Sequence, residues 1–239
     1  MTVMRTARGC AARARGARGF AVLSVVAAGL LVSALAAGWL LAAATDTGVA
    51  SAFARGLESR QAARGALHWA AAELAGVPDW NLVLAGSLAS SVADGPPSGT
   101  RHLPGGDPIS LDEVRSLVEC SRLSPCTDAE RTISTRERPW GANNPRWQLY
   151  VWGRFDRLLP AGSAPAPFYI VVLVADDPAE SDGDPLRDAT GLTPGAGVLR
   201  LRSEAFGPAG AHHVVEGTVA RPATPPGPSL RLMTMGDVL

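Results

Sequence analysis

The first long pattern along the chain is an apolar run, Phe20 to Ala44, in which none of the 25 residues is charged. As a helix this run is about 37 Å long, enough to cross the roughly 30 Å hydrocarbon core of a bilayer with some tilt. Small residues such as Gly29, Ser33 and Gly38 allow close helix approach in membranes, although they also suit a plain Ala-rich anchor. The pattern predicts a transmembrane helix over residues 20–44.

Beyond residue 44 the apolar positions become periodic without a helix breaker in between. They recur in steps typical of one helix face, at Val49, Phe53, Leu57, Leu67, Ala71 and Leu74. Gly76 and Pro78 then form a stop signal. The spacing predicts that residues 45–76 continue the same helix as an amphipathic second half, packed by its stripe on a folded domain.

The remaining residues, 77–239, carry short elements separated by turns. Ser110, followed by two acids, predicts the N-terminus of a short helix over 110–120. Alternating or β-branched runs then predict four or five strands, at 146–155, 168–175, 197–206, 212–221 and 230–235. Strands that follow one long helix favour an α+β fold in which that helix packs on a small antiparallel sheet.

The charges before the apolar run set its expected orientation. Five arginines precede Phe20, whereas the first acidic residue is Asp46. By the positive-inside rule the N-terminus is cytoplasmic and the C-terminal domain lies outside, on a single-pass protein of the cytoplasmic (inner) membrane. The small residues at 42–44 leave open a cleavable secretory signal, although the run is longer than such signals usually are.

The rest of the composition excludes some function classes. Without residues 1–19 the chain has 17 Arg and no Lys against 22 acids, and this acidic balance argues against a nucleic-acid partner. No metalloprotease, nucleophile-elbow or phosphate-loop motif is present, so we expect no enzyme and no small-molecule substrate.

The N-terminal pattern resembles that of the type IV pilin and pseudopilin family. The resemblance rests on three features: a basic leader that ends in Arg18-Gly19, Phe20 as the next residue, and the segment "RGFAVLSVVAAGLL", which leads into one long predicted helix followed by a predicted sheet. The resemblance implies that residues 1–19 are a cytoplasmic leader removed by a prepilin peptidase between Gly19 and Phe20. It also implies partners among other pilins or pseudopilins, contacted through the N-terminal helix.

Ser24 departs from the pattern of most pilins, which have Glu as the fifth residue of the mature chain. The nearer resemblance is therefore to PilX-type minor pilins and to the Glu-lacking minor pseudopilin of type II secretion. In the family, the Glu is thought to pair with the N-terminal amine of the neighbouring subunit. Because an uncharged fifth residue cannot form this pair, the resemblance favours a position at a filament tip or in an initiation complex. The alternative is that Ser24 only bonds to a carbonyl of its own helix.

Cys120 and Cys126 lie outside the cytoplasm in the expected topology. Cysteines in an oxidising compartment usually pair, so a disulfide is predicted, with two free buried thiols as the alternative. It would fix a loop beside the short helix.

An acidic segment over 175–191 is the one candidate metal site. Carboxylate oxygens are the ligands that Ca²⁺ prefers, and the segment supplies candidates at Asp176, Asp177, Asp182, Asp184 and Asp188. The spacing is not that of an EF-hand, and a solvated acidic turn is the alternative. No other cofactor is expected.

Two classes of function fit these features. The first is a minor pilin- or pseudopilin-like subunit that takes part in assembling a type IV pilus or a type II secretion pseudopilus. The second is a single-span scaffold or binding module of an envelope machine that never enters a filament.

Overall fold

A computed structural model of the chain describes residues 14–180, 183–188, 197–221 and 230–238, with the backbone alone for 14–19. These residues belong to two compact units that divide after Ala52. The first unit holds the N-terminal part of one long helix, and the second holds the rest of that helix and every other element described.

The elements occur in the order that the sequence pattern predicts, with additions. The helices are α1 (Ala14–Ala75), α2 (Asn81–Leu84), α3 (Leu111–Cys120) and α4 (Asp128–Thr132). The strands are β1 (Thr100–His102), β2 (Pro108–Ser110), β3 (Gln148–Arg154), β4 (Tyr169–Asp176), β5 (Val198–Phe206), β6 (His212–Ala220) and β7 (Arg231–Asp237). Helix α1 starts at Ala14 rather than at Phe20, because the Ala and Arg residues before the apolar run are good helix formers.

The larger sheet is an antiparallel meander with strand order β3-β4-β5-β6-β7. All eight residues of β4 are buried, since both faces of this strand are covered. Ile170, Val172 and Val174 belong to one core cluster, whereas Val171 and Leu173 belong to the other. The continuous apolar run at 168–175 therefore marks a doubly covered strand, as its composition predicts.

One face of the sheet packs on the second half of α1. The α1 residues buried there are mostly alanine, a side chain that lets helix and sheet approach closely: Ala62, Ala63, Ala66, Leu67, Ala70, Ala71 and Leu74. The predicted α+β architecture, a long N-terminal helix packed on an antiparallel sheet, is confirmed.

The predicted stripe is wrong for its first half. Val49, Phe53 and Leu57 are exposed, and Phe53 is 68% accessible to solvent. Buried residues along α1 begin only at Ser59. Periodicity shows which residues share a face but not how far along the helix the sheet reaches, so the spacing of these three residues could not locate the contact.

The opposite face of the sheet has a cover that the sequence analysis did not predict. Ile109 of β2 and Leu111 and Val114 of α3 pack with Trp152 of β3 and Tyr169 of β4 in a second apolar cluster. Strands β1 and β2 form a separate antiparallel pair of three residues each, too short to show alternation. Helix α3 starts as predicted, because the Ser110 side chain accepts a hydrogen bond from the Glu113 amide.

Candidate functional site

The apolar half of α1 is the only helix among the described residues that is long and apolar enough to cross a membrane. Its most apolar stretch has a mean hydropathy of 2.4, and none of that stretch is buried within the protein. The large side chains of this stretch are exposed, and Trp39 is 78% accessible to solvent. None of the residues that the structure describes covers this surface, as expected of a helix whose surroundings are lipid or other helices.

The predicted cleavage junction lies inside α1. The helical backbone is continuous through Gly19 and Phe20, while residues 1–13 of the expected leader lie outside the described residues. The Ser24 hydroxyl donates to the Phe20 carbonyl at 2.9 Å, and Ser33 bonds to Gly29 in the same way at 2.8 Å. Ser24 is thus satisfied within its own helix and presents no charge to a neighbour.

Cys120 and Cys126 are joined by a disulfide in the structure. Cys120 is the last residue of α3, and the chain turns away at Ser121 through a left-handed conformation with φ of 56°. Beyond the bridge, Arg131 of α4 bonds through Nε to the buried carboxylate of Glu119 at 3.0 Å. The disulfide and this ion pair together hold α4 beside the end of α3.

The acidic segment has a different arrangement from the predicted ligand set. Three carboxylates, those of Asp176, Glu180 and Asp188, each place an oxygen within 4.8 Å of the others, and we call this set the carboxylate cluster. Asp176 and Asp188 were predicted as ligands, whereas Glu180 was not. Glu180 comes close to the two aspartates because the chain turns after β4, where the Glu180 amide donates to the Asp177 carbonyl at 2.9 Å. The sequence alone does not show this turn.

Asp177 and Asp184, two further predicted ligands, do not belong to the cluster. Asp177 accepts from the Ala179 amide at 3.2 Å and Asp184 accepts from the Leu186 amide at 3.1 Å. Both side chains thus stabilise local turns in the way that aspartates often do. Asp182 lies outside the described residues. A five-aspartate site is therefore not what the fold assembles.

Asp176 is the unusual member of the carboxylate cluster. The residue is 2% exposed, and neither carboxylate oxygen has a partner in hydrogen-bonding geometry among the described residues. Burial first, and then the charge of Glu180, raise the pKa of Asp176 to about 8, against a smaller lowering by the Asp177 amide. A buried carboxyl group beside two others is costly to ionise.

The cluster is held from three directions. The Asp188 amide donates to Oδ1 of Asn81 in α2 at 2.9 Å, and Oδ1 of Asp188 accepts from the Gly197 amide at 2.6 Å, just before β5. Nδ2 of Asn143 donates to the carbonyl of Glu180 at 2.7 Å. Contacts from α2, from the residue before β5 and from Asn143 therefore help to hold Asp188 and Glu180 in place.

Comparisons with known proteins add no assignment. No model of a known protein family, no curated protein and no solved structure matches the chain. The resemblance to pilins accordingly remains a hypothesis based on the sequence features of the N-terminal region, and what the chain does is argued below from its own structure.

Proposed function

We propose that this chain is a minor pilin-like or pseudopilin-like subunit, held in the cytoplasmic membrane by α1 and drawn into a type IV pilus or a secretion pseudopilus during assembly. The observation that carries the proposal is the division of α1. Residues 20–57 include an apolar surface that none of the described residues covers, while several residues in 59–74 are packed into the sheet domain. A subunit that exchanges lipid for neighbouring helices needs this division.

The exposed stripe favours a filament subunit over a plain anchor. Val49, Phe53 and Leu57 lie beyond the 25 uncharged residues that suffice to cross a bilayer, yet all three are exposed. Contiguous apolar surface of this kind usually marks a protein or membrane contact. Helices of neighbouring subunits would cover the stripe, whereas an anchor alone gives it no partner.

Ser24 supports a position at the tip or in an initiation complex. A charged residue in a membrane helix costs a few kcal/mol and is kept where it finds a partner. Ser24 offers no such charge, and the tip position rests on that missing charge alone, because the bond of its hydroxyl to the Phe20 carbonyl is equally what the alternative explanation of Ser24 expects. Such a subunit can receive the next one through its own N-terminal amine but cannot readily dock beneath another.

The alternative function is a permanently anchored scaffold of an envelope machine. Fractionation separates the two: filaments sheared from cells are compared with the membrane fraction by quantitative immunoblotting. We expect the wild-type chain in both fractions and Gly19→Glu, which the peptidase should not cut, in the membrane fraction alone. Gold labelling of wild-type filaments should show the protein at one end.

Absence of the wild-type chain from filaments that assemble normally would contradict the proposal and support the scaffold. Label spread along the shaft at a ratio near that of the major subunit would contradict the tip position while leaving a filament subunit.

A further inference from the structure

We propose that a cleft on the face of the sheet opposite α1 binds an acidic saccharide, a short stretch of uronic acid units, with Trp140 against the sugar ring and Arg138 on a carboxylate. The proposal concerns the sheet domain alone and does not depend on the filament function. The sequence patterns do not indicate this site, because the residues that line it come from α3, from the loop between α4 and β3, and from β5 and β6.

The Trp140 cleft, as we call it, has a floor on the sheet. Arg200 and Arg202 of β5 and Glu216 of β6 line it from below. These side chains point away from α1, because alternate residues of the same strands, such as Leu201, pack in the apolar cluster on α1. The end of α3 and the loop that carries Trp140 form the walls, and the volume is about 330 Å³. Clefts for small ligands start at about 300 Å³, so the space suits a sugar unit rather than a folded partner.

The polar groups of the floor are fixed before any ligand arrives. Glu216 accepts from Arg200 Nη2 at 3.0 Å and from Arg202 Nη1 at 2.8 Å. Arg202 Nε also donates to the buried Glu204 at 2.8 Å. Arg200 has no second hydrogen-bond acceptor among the described residues, so its remaining N–H groups can donate to a ligand. Binding to groups that are already held in place costs little ordering of side chains.

Arg138 is the cation of the cleft that lacks an acidic partner. Its guanidinium donates to the Glu119 carbonyl and, in the part of the chain that the structure describes, forms no ion pair. The backbone position is fixed, since the Arg138 amide donates to Thr135 Oγ1 at 3.1 Å and the Thr135 amide donates to the Arg138 carbonyl at 2.9 Å. A guanidinium binds a carboxylate through a fork of N–H groups. Arg138 is therefore placed to select an acidic ligand.

Trp140 supplies the apolar surface of the cleft. Its side chain is 40% exposed, although an indole ring gains most when it is covered. Trp147, the second tryptophan of the lining, is 5% exposed, and the Arg200 guanidinium lies 5.7 Å from its ring centroid. Trp147 thus packs within the domain, whereas the Trp140 ring is available to the apolar C–H face of a sugar ring.

The mixture of donors and acceptors determines the class of ligand. Glu137 and Glu216 both line the cleft and would repel a phosphate group, whereas the arginines would repel a cation. An apolar ligand would leave these polar groups without hydrogen bonds. Sugar hydroxyls donate to carboxylates and accept from guanidinium groups, so a saccharide satisfies both. The carboxylate of a uronic acid adds the charge that Arg138 lacks.

Titration of the full-length protein tests the proposal, in polyoxyethylene detergent micelles because their headgroups contain no sugar. Calorimetry and tryptophan fluorescence follow the addition of trigalacturonic acid, of the neutral galactotriose and of triglutamate. We expect trigalacturonic acid to bind at least about tenfold more tightly than galactotriose, since its carboxylate gains a charge-assisted hydrogen bond. Triglutamate should bind about tenfold more weakly than trigalacturonic acid, because it has no ring to cover Trp140.

Two variants locate the site. Trp140→Ala should weaken the binding of both trisaccharides by about tenfold. Arg138→Gln should bind galactotriose as the wild type does and lose the preference for the acidic trisaccharide. Arg136→Gln is the matched control, because Arg136 is exposed in the same loop and does not line the cleft. Thermal unfolding of each variant verifies that it is folded, and Arg138→Gln carries the test if Trp140→Ala is not.

Three results would overturn the proposal. The first is no binding of trigalacturonic acid at millimolar concentration. The second is triglutamate bound as tightly as trigalacturonic acid, which would indicate a site for acidic peptides. The third is wild-type binding of trigalacturonic acid by both Trp140→Ala and Arg138→Gln, which would place the saccharide elsewhere on the chain.

Discussion

Gly217 in β6 lies where three elements meet with no room for a side chain. A Cβ at this position would come within 2.6 Å of the Thr234 carbonyl oxygen in β7 and 3.5 Å of Leu67 Cδ1 in α1. The closer neighbour is backbone and cannot rotate away, so any side chain must separate β6 from β7. Absence of a side chain here is therefore a requirement for close packing of the sheet edge on α1.

Gly217→Ala should lower the free energy of unfolding of the sheet domain by about 1–3 kcal/mol, the usual cost of overpacking. Gly236→Ala is the matched control, because a Cβ at Gly236 in β7 meets nothing within 4 Å. Urea unfolding of both variants in detergent, followed by tryptophan fluorescence, measures the difference. Equal stability of the two variants would show that β7 moves aside without cost.

Single residues also show where sequence patterns stop being informative. Asp176 and Asp188 are visible as candidate ligands because aspartates crowd the segment, and Cys120 and Cys126 because their expected compartment is oxidising. Glu180 carries no such signal, since its nearness to Asp188 depends on how the chain turns after β4. Local composition therefore indicated which residue types to consider, whereas the tertiary fold determines which of these residues lie close together.

At the scale of elements, the last strand is joined to α1 by a polar cluster at its end. Asp237 of β7 accepts from Arg60 Nε at 3.0 Å and from Arg64 Nη2 at 3.2 Å, and it lies 3.0 Å from His213 Nε2 of β6. The Arg60 hydrogen bond, followed by that of His213, holds the pKa of Asp237 well below its usual range. An otherwise exposed edge strand is thereby attached to the helix that it flanks.

The lowered pKa gives this attachment a defined pH dependence. A carboxyl whose pKa is depressed on folding contributes stability above its unfolded pKa of about 3.9, and loses it as the pH falls toward the folded value. Asp237→Asn should therefore be less stable than the wild type at pH 7, with the gap closing below about pH 4. Asp156→Asn, which removes the half-buried partner of the exposed Arg154, should show a smaller gap at pH 7. Thermal unfolding at a series of pH values measures both, and a gap for Asp237→Asn that is constant with pH would contradict the assignment.

The helices and strands differ in how well the sequence predicts them. The five strands of the meander were predicted to within about two residues at each end, because alternation and β-branched runs reflect the two covers of the sheet. Strands β1 and β2 were missed, since three residues around a Pro-Gly turn show no alternation. The exposed stripe at Val49, Phe53 and Leu57 was wrongly assigned to the sheet contact, because a helical period says nothing about which partner covers it.

At the scale of the whole molecule, the chain combines a helix that could span a membrane with a sheet domain that buries a core of its own. The sheet domain is stabilised by two apolar clusters and the disulfide. In the part of the chain that the structure describes, nothing covers the apolar half of α1, and such a surface usually marks a membrane or protein contact. The central claim is that this half is kept in the mature protein while the leader before it is removed.

The mass of the intact protein, extracted from membranes of cells that contain the prepilin peptidase, tests this claim most directly. We expect a mature chain that begins at Phe20 and an uncut chain for Gly19→Glu. A wild-type protein that keeps residues 1–19 would contradict the account in favour of a permanent anchor. A mature N-terminus near Thr45 would contradict it in favour of a secreted domain.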